Sequence, residues 1–180
     1  MKKFVFLALM ATFFTTCLNA QNNSSSFGTE RPSLYIGIGG GFDYGGYGGK
    51  VEFLPVKNLG LFAGVGYNFL SAGWNIGGSF LISPDANICP KISAMYGYNA
   101  VLMIENAEDL NKTSYGVTFG AGIDWKIGLR GNKISLAINV PIRSSEFNDH
   151  YDNVKNNPRV EMKNDLWPIG ISIGYHFVIK

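Results

Sequence analysis

Between residues 34 and 179, apolar and aromatic side chains recur at every second position, with small or polar residues between them. The pattern is clearest from Ser114 to Ile127. There Tyr115, Val117, Phe119, Ala121, Ile123, Trp125 and Ile127 fall on one face of an extended chain, and Ser114, Gly116, Thr118, Gly120, Gly122, Asp124 and Lys126 on the other. Strand side chains point alternately to the two sides of a sheet, so a period of two predicts a two-faced strand and excludes a helix. Residues 91–104 repeat the arrangement, with Ile92, Ala94, Tyr96, Tyr98, Ala100, Leu102 and Ile104 opposing Lys91, Ser93, Met95, Gly97, Asn99, Val101 and Met103. No charge sits on the apolar side of either segment.

Alternation and turn residues together predict eight strands, near 33–42, 46–56, 59–70, 72–82, 91–104, 113–127, 133–142 and 166–179. An even number lets an up-and-down barrel close with both termini at one end. The links at Lys57-Asn58, Ser83 to Pro90 and Gly128 to Asn132 are short or moderate. The opposite end carries two very short links, at Asp43 to Gly45 and near Ser71, together with Glu105 to Lys112, as long as Ser83 to Pro90, and the longest link of all, Arg143 to Asp165. Short turns on the side of the termini and long loops on the far side are what an outer-membrane barrel with periplasmic termini requires.

The chain begins with Lys2 and Lys3, an apolar run from Phe4 to Phe14 and a polar shoulder ending at Ala20. This reads as a secretory signal, residues 1–20, whose apolar run is too short to span a bilayer. Residues 21–32 then form a polar leader and 33–180 the barrel. Cys17 follows Phe14-Thr15-Thr16 rather than the small and leucine residues of a lipidation site, so it leaves with the signal. Cys89 then stands alone, and the fold relies on hydrogen bonds and burial rather than a disulfide. Of the 15 basic residues two also leave, so 13 face 13 acidic ones. That balance gives no reason to expect a nucleic-acid partner.

Alternation alone leaves open which face is outside, because a secreted lipocalin-like barrel that binds an apolar ligand has the same period. Volume favours the membrane orientation. The apolar faces carry roughly forty side chains, whereas an eight-stranded barrel has an interior just wide enough for side chains to fill it. The other face is rich in glycine, including Gly37, Gly39, Gly60, Gly64, Gly170 and Gly174, which suits a narrow, curved lumen. Trp74, Tyr115 and Trp167 lie toward one strand end and Trp125, Tyr175 and Phe177 toward the other, as two interfacial belts would.

With this architecture the chain resembles the small outer-membrane β-barrel domain family, the OmpX- and OmpA-like eight-stranded barrels of diderm bacteria, over residues 33–180. The closing run Ile169, Ile171, Ile173, Tyr175 and Phe177 is similar to the strand that the barrel-assembly machinery of such bacteria recognises. Val178, Ile179 and Lys180 extend past the aromatic on which that pattern commonly ends. The resemblance implies an all-β transmembrane barrel in the outer membrane. It also implies contact with outer-membrane lipids and lipopolysaccharide, and with the assembly machinery during biogenesis.

The residues offer little chemistry. The glycines from Gly37 to Gly49 lead into a hairpin and a second strand, not a helix, so they are no phosphate cradle. Of two histidines, His176 falls on the luminal face near the end of the termini, and His150 lies in the longest loop with Ser144, Ser145, Asp149 and Asp152. Neither constitutes a preorganised hydrolytic site. The acidic residues Glu105, Glu108, Asp109, Glu146, Asp149, Asp152, Glu161 and Asp165 show no ordered calcium-ligand spacing. The luminal face carries Lys50, Glu52, Asn68, Asn75, Asn99, Asp124, Lys126, Lys133, Asn139 and His176. Of these, Lys50, Glu52, Asp124 and Lys133 are expected to form a mutually neutralising network, with Asp124 and Lys133 pairing diagonally across a hairpin.

The expectation is therefore a non-enzymatic barrel without cofactor or metal, whose lumen is packed. Its structural or interaction role would be exercised through external loops, above all by Phe147, His150 and Tyr151 presented outward from the Arg143–Asp165 loop. The alternatives are an outer-leaflet lipid A-modifying enzyme, a narrow channel and the soluble ligand-binding barrel.

Overall fold

The computed structural model describes residues 33–102, 112–128, 131–155 and 167–179. The signal and leader assigned to residues 1–32, and the acidic residues Glu105, Glu108, Asp109, Glu161 and Asp165, lie outside these. Eight strands are present: β1 (Ser33–Gly41), β2 (Gly46–Val56), β3 (Leu59–Tyr67), β4 (Ala72–Leu81), β5 (Ile88–Leu102), β6 (Lys112–Ile127), β7 (Asn132–Pro141) and β8 (Gly170–Ile179). Each pairs antiparallel with its sequence neighbour, and β8 returns to β1 from Leu34↔Ile179 to Gly40↔Ile173, so the sheet closes. The fold is an all-β, eight-stranded, antiparallel up-and-down barrel. Closure leaves no sheet edge in its wall.

The barrel has a turn end, with the start of β1, the end of β8 and the β2–β3, β4–β5 and β6–β7 links, and a loop end with the other four. Along β6 the expected alternation is realised, with Tyr115, Val117, Phe119 and Trp125 exposed and Ser114, Thr118 and Asp124 buried. The same division runs around the wall: Ile38, Val51, Leu61, Ile76, Ile92, Ile138 and Ile171 are all exposed outward. The interior holds the polar and charged side chains. This is the inverse of a water-soluble core.

β5 departs from its simple two-residue period. A bulge between Tyr98 and Ala100 inserts an extra residue in the β5–β6 register, which runs Tyr98↔Tyr115 and then Ala100↔Ser114. Such an insertion reverses the facing of everything beyond it. Ala100 and Leu102, expected outward, are instead buried on the inner side, and Tyr98 packs on Phe42 with ring centroids 5.6 Å apart. β5 also starts at Ile88, earlier than the turn signal at Pro90 suggests. The Pro90 carbonyl still accepts from the Ile82 N–H at 2.9 Å, so the imino acid is held in the sheet.

β5 and β6, at 15 and 16 residues, reach beyond their other neighbours at the loop end. Against the inner side of this ribbon lies a helix, α1 (Ser145–Lys155), with Phe147 and Val154 buried on Ala100 and Leu102 and Tyr151 partly buried beside them. Its spacing of Phe147, Tyr151 and Val154 is helical. Ser144 caps the start, its Oγ accepting from the Phe147 N–H at 3.2 Å.

Candidate functional site

The lumen is filled in three layers. At the turn end Tyr35, Leu54, Leu81 and Cys89 form a small apolar layer, in which Cys89 is a buried free thiol. One step further in, β2, β5, β6 and β7 present Glu52, Lys91, Asp124 and Lys133 on their inward positions. Lys133 Nζ lies 2.6 Å from both Glu52 Oε2 and Asp124 Oδ2, and Lys91 Nζ lies 2.6 Å from Asp124 Oδ1. Lys91 also donates to Ser135 Oγ at 2.7 Å, and Ser79 Oγ donates to Glu52 Oε1 at 3.1 Å. Lys133 further lies over the Tyr35 ring, 4.5 Å from its centroid. Charges this deeply buried are tolerable only when paired and hydrogen-bonded.

The register accounts for the pairing. Asp124 stands opposite Ser135, and Lys133 is two residues before Ser135 on the same face, which is the diagonal neighbour position. Glu52, Asp124 and Lys133 meet in one cluster, whereas Lys50 is held elsewhere. Its ammonium pairs with Asp43 Oδ2 at 2.7 Å and lies over the Phe62 and Tyr44 rings, 4.7 and 5.2 Å from their centroids.

The third layer is the β1–β2 connection. Asp43 to Gly45 reads in sequence as a short link at the barrel rim, but Phe42–Tyr44 forms a single 3-10 turn folded into the lumen, with Asp43 and Tyr44 buried. Tyr44 Oη lies 2.7 Å from His176 Nε2, and Asn75 Nδ2 donates to the Phe42 carbonyl at 2.5 Å. Gly41 and Gly45 adopt φ of 127° and 69°, which a side chain would resist, and these let the chain turn inward and back out.

The luminal glycines make the space. A Cβ on Gly39, Gly64, Gly66, Gly73, Gly170 or Gly174 would stand under 3.0 Å from an atom of residues 42–45. The glycines of β1, β3, β4 and β8 are thus more specific than a response to curvature: they form the bed on which this turn lies.

Asp43, Tyr44 and Lys91 are luminal residues that sequence reasoning did not add to the network. Lys91 was legible, since it shares the face of Ser93 and Met95. Asp43 and Tyr44 were not, because a hairpin link carries no local mark of the direction in which it folds.

At the loop end the structure corrects the presented surface. Phe147 is 1% exposed and packs inward, so it is not offered to solvent, and the segment around it is helical rather than an irregular loop. His150 and Tyr151 are half-buried on α1, whose exposed positions are Ser145, Asn148, Asp149, Asp152, Asn153 and Lys155. Arg143 donates to the Trp167 carbonyl, tying together the two ends of the connection that contains α1. Lys126, at the turn end, donates to the Pro84 carbonyl rather than joining the buried ion pairs. Among the described residues no group of three or more histidine, cysteine or acidic side chains is placed to hold a metal ion.

No protein-family model matches the chain, and no curated protein matches its sequence. Among solved structures it is similar to the N-terminal β-barrel domain of Pseudomonas aeruginosa OprF, at 14% identity over 81% of this chain and 97% of that one, with a TM-score of 0.48.

Proposed function

We propose that this chain is an integral outer-membrane barrel of a diderm bacterium, non-enzymatic and non-conducting, with a structural or interaction role exercised at its loop end. The carrying observation is the inversion of polarity around a closed sheet, exposed apolar side chains on the outer wall and buried, paired charges within. In water such a wall would be unfavourable by about 25 cal/mol for each Å² of apolar surface, whereas in hydrocarbon it is the required face. Strand length agrees. Six of the strands have 9 to 11 residues, the length with which a tilted strand crosses a bilayer core.

The three luminal layers favour a plug over a channel. They also leave an apolar ligand of the lipocalin kind only the small layer at the turn end. His176 is fully buried and engaged by Tyr44, which argues against its use on a lipid substrate. Among the described residues, the loop-end surface offered to a partner is the polar face of α1 with the half-buried His150 and Tyr151, and the helix packs on the β5–β6 ribbon. Contact with outer-membrane lipids and lipopolysaccharide, export by the N-terminal segment and insertion by the barrel-assembly machinery follow from this reading.

Fractionation followed by gel migration in detergent, with and without heating, tests it. Recovery in the outer membrane with a heat-dependent shift is the expected result. A protein that stays in solution without detergent overturns the reading. In planar bilayers the folded protein is expected to leave the conductance at background, and steady unitary currents would overturn the plugged lumen.

A further inference from the structure

The inward turn brings both a charge and a shape to the lumen. Among the described residues the buried luminal charges are three lysines, 50, 91 and 133, and three carboxylates, 43, 52 and 124. Two of the carboxylates belong to the barrel wall and are fully engaged with Lys91 and Lys133. The third, Asp43, arrives on the turn and neutralises Lys50, which β2 projects against the Phe62 ring of the wall and which, with the turn and its Tyr44 ring in place, is 2% exposed. Without Asp43 the wall alone has three lysines against two carboxylates, an excess of one positive charge centred on Lys50.

The wall is also shaped for an occupant. Six glycines from four strands leave the volume that Phe42 to Gly45 fill, and His176 and Asn75 supply polar contacts from the wall to that occupant. Buried lysines that lose their counterion are costly, so a vacated site of this kind recruits an anion.

We propose that the loop-end lumen is a binding site for small carboxylates, centred on Lys50, and that Asp43 is its built-in occupant. The β1–β2 turn, pivoting at Gly41 and Gly45, exchanges with a carboxylate from solution. The turn is thereby autoinhibitory, and the resting protein holds its site closed. This goes beyond the membrane reading and does not depend on it, because the glycine bed and the buried charges are features of the barrel alone.

The test is chemical rescue of folded protein purified in detergent, followed by its heat-induced gel shift. Asp43→Ala is expected to lower the unfolding midpoint, and sodium formate is expected to restore most of that loss in a saturable way, with sodium chloride at equal ionic strength restoring little. The natural protein should respond only at much higher formate concentration, because there formate has to displace the Asp43 carboxylate. Adding Lys50→Met to Asp43→Ala should abolish the formate response.

If Asp43→Ala does not fold, Asp43→Asn keeps the shape and loses the charge. Ser172 on β8 is 2% exposed, and its Oγ would lie under 3.0 Å from a Cβ on Gly41 at the base of the turn. With Cys89→Ser and Ser172→Cys in the Asp43→Asn background, the new thiol should become reactive to an anionic methanethiosulfonate, whereas in the presence of Asp43 it stays protected. Formate and chloride acting alike, rescue that persists without Lys50, or a thiol equally protected in both backgrounds each overturns the proposal. A barrel that needs no detergent would defeat the membrane reading and leave this result standing.

Discussion

Phe119 and Gly120 are consecutive residues of β6, one turned outward between Ala94 and Val140, the other inward between Ser93 and Asn139. Their surroundings reverse the usual terms. On the outer wall side chains have open space and no polar partner, so bulk is free and charge is costly. In the lumen space is exhausted and charge is already present, so charge must be matched and bulk is costly. The two surfaces are separated by one peptide unit, and every strand carries both.

The largest effect expected from breaking this division is at Lys133. Lys133→Met removes the ammonium shared by Glu52 and Asp124 and leaves buried carboxylates short of a counterion, at a cost of about 3–5 kcal/mol in urea unfolding from lipid vesicles. A change below about 1 kcal/mol would mean that water reaches the cluster. Next is Phe119→Arg, which sets a charge on the outer wall and should cost about 2–4 kcal/mol by the same measurement, with reduced insertion in cells. Full tolerance of arginine there would reverse the assignment of inside and outside.

A methyl group in the lumen ranks third. Gly174→Ala drives a Cβ into Tyr44 Oη and the Ile38 carbonyl, so it should cost about 1–3 kcal/mol and loosen the inward turn, visible as a changed near-ultraviolet circular dichroism of Tyr44. The same methyl on the outer wall is the control. Gly49 faces out, and the nearest atom to its added Cβ is the Gly37 carbonyl oxygen at 3.6 Å, so Gly49→Ala should move stability by less than about 0.5 kcal/mol. Equal costs at the two glycines would sink the claim that only the lumen is full.

The outer wall was almost wholly legible in the sequence, because outwardness is a local property. Each strand's period of two assigns it without reference to any other strand. The candidate site was legible only in part. Glu52, Asp124 and Lys133 share the inward parity, and the hairpin between β6 and β7 makes two of them diagonal neighbours. That Lys50 pairs with Asp43 instead of joining them depends on a turn whose direction is set by glycines drawn from four strands. Phe147 fails for a related reason. Its burial requires the inner side of the β5–β6 ribbon, which exists only because a bulge after Tyr98 reverses Ala100 and Leu102.

By itself, then, the sequence determined the strand number, the antiparallel order, the two faces and the inward placement of the charged residues, since alternation and short turn signals act between residues near in the chain. The tertiary structure decided the bulge, the helix packed on the ribbon, the inward fold of the β1–β2 turn and the partner of each buried charge. Those outcomes turn on shape and counter-charge brought together by ring closure, where Tyr44 meets His176 across 132 residues and Lys133 meets Glu52 across 81. No local period carries information over such a separation.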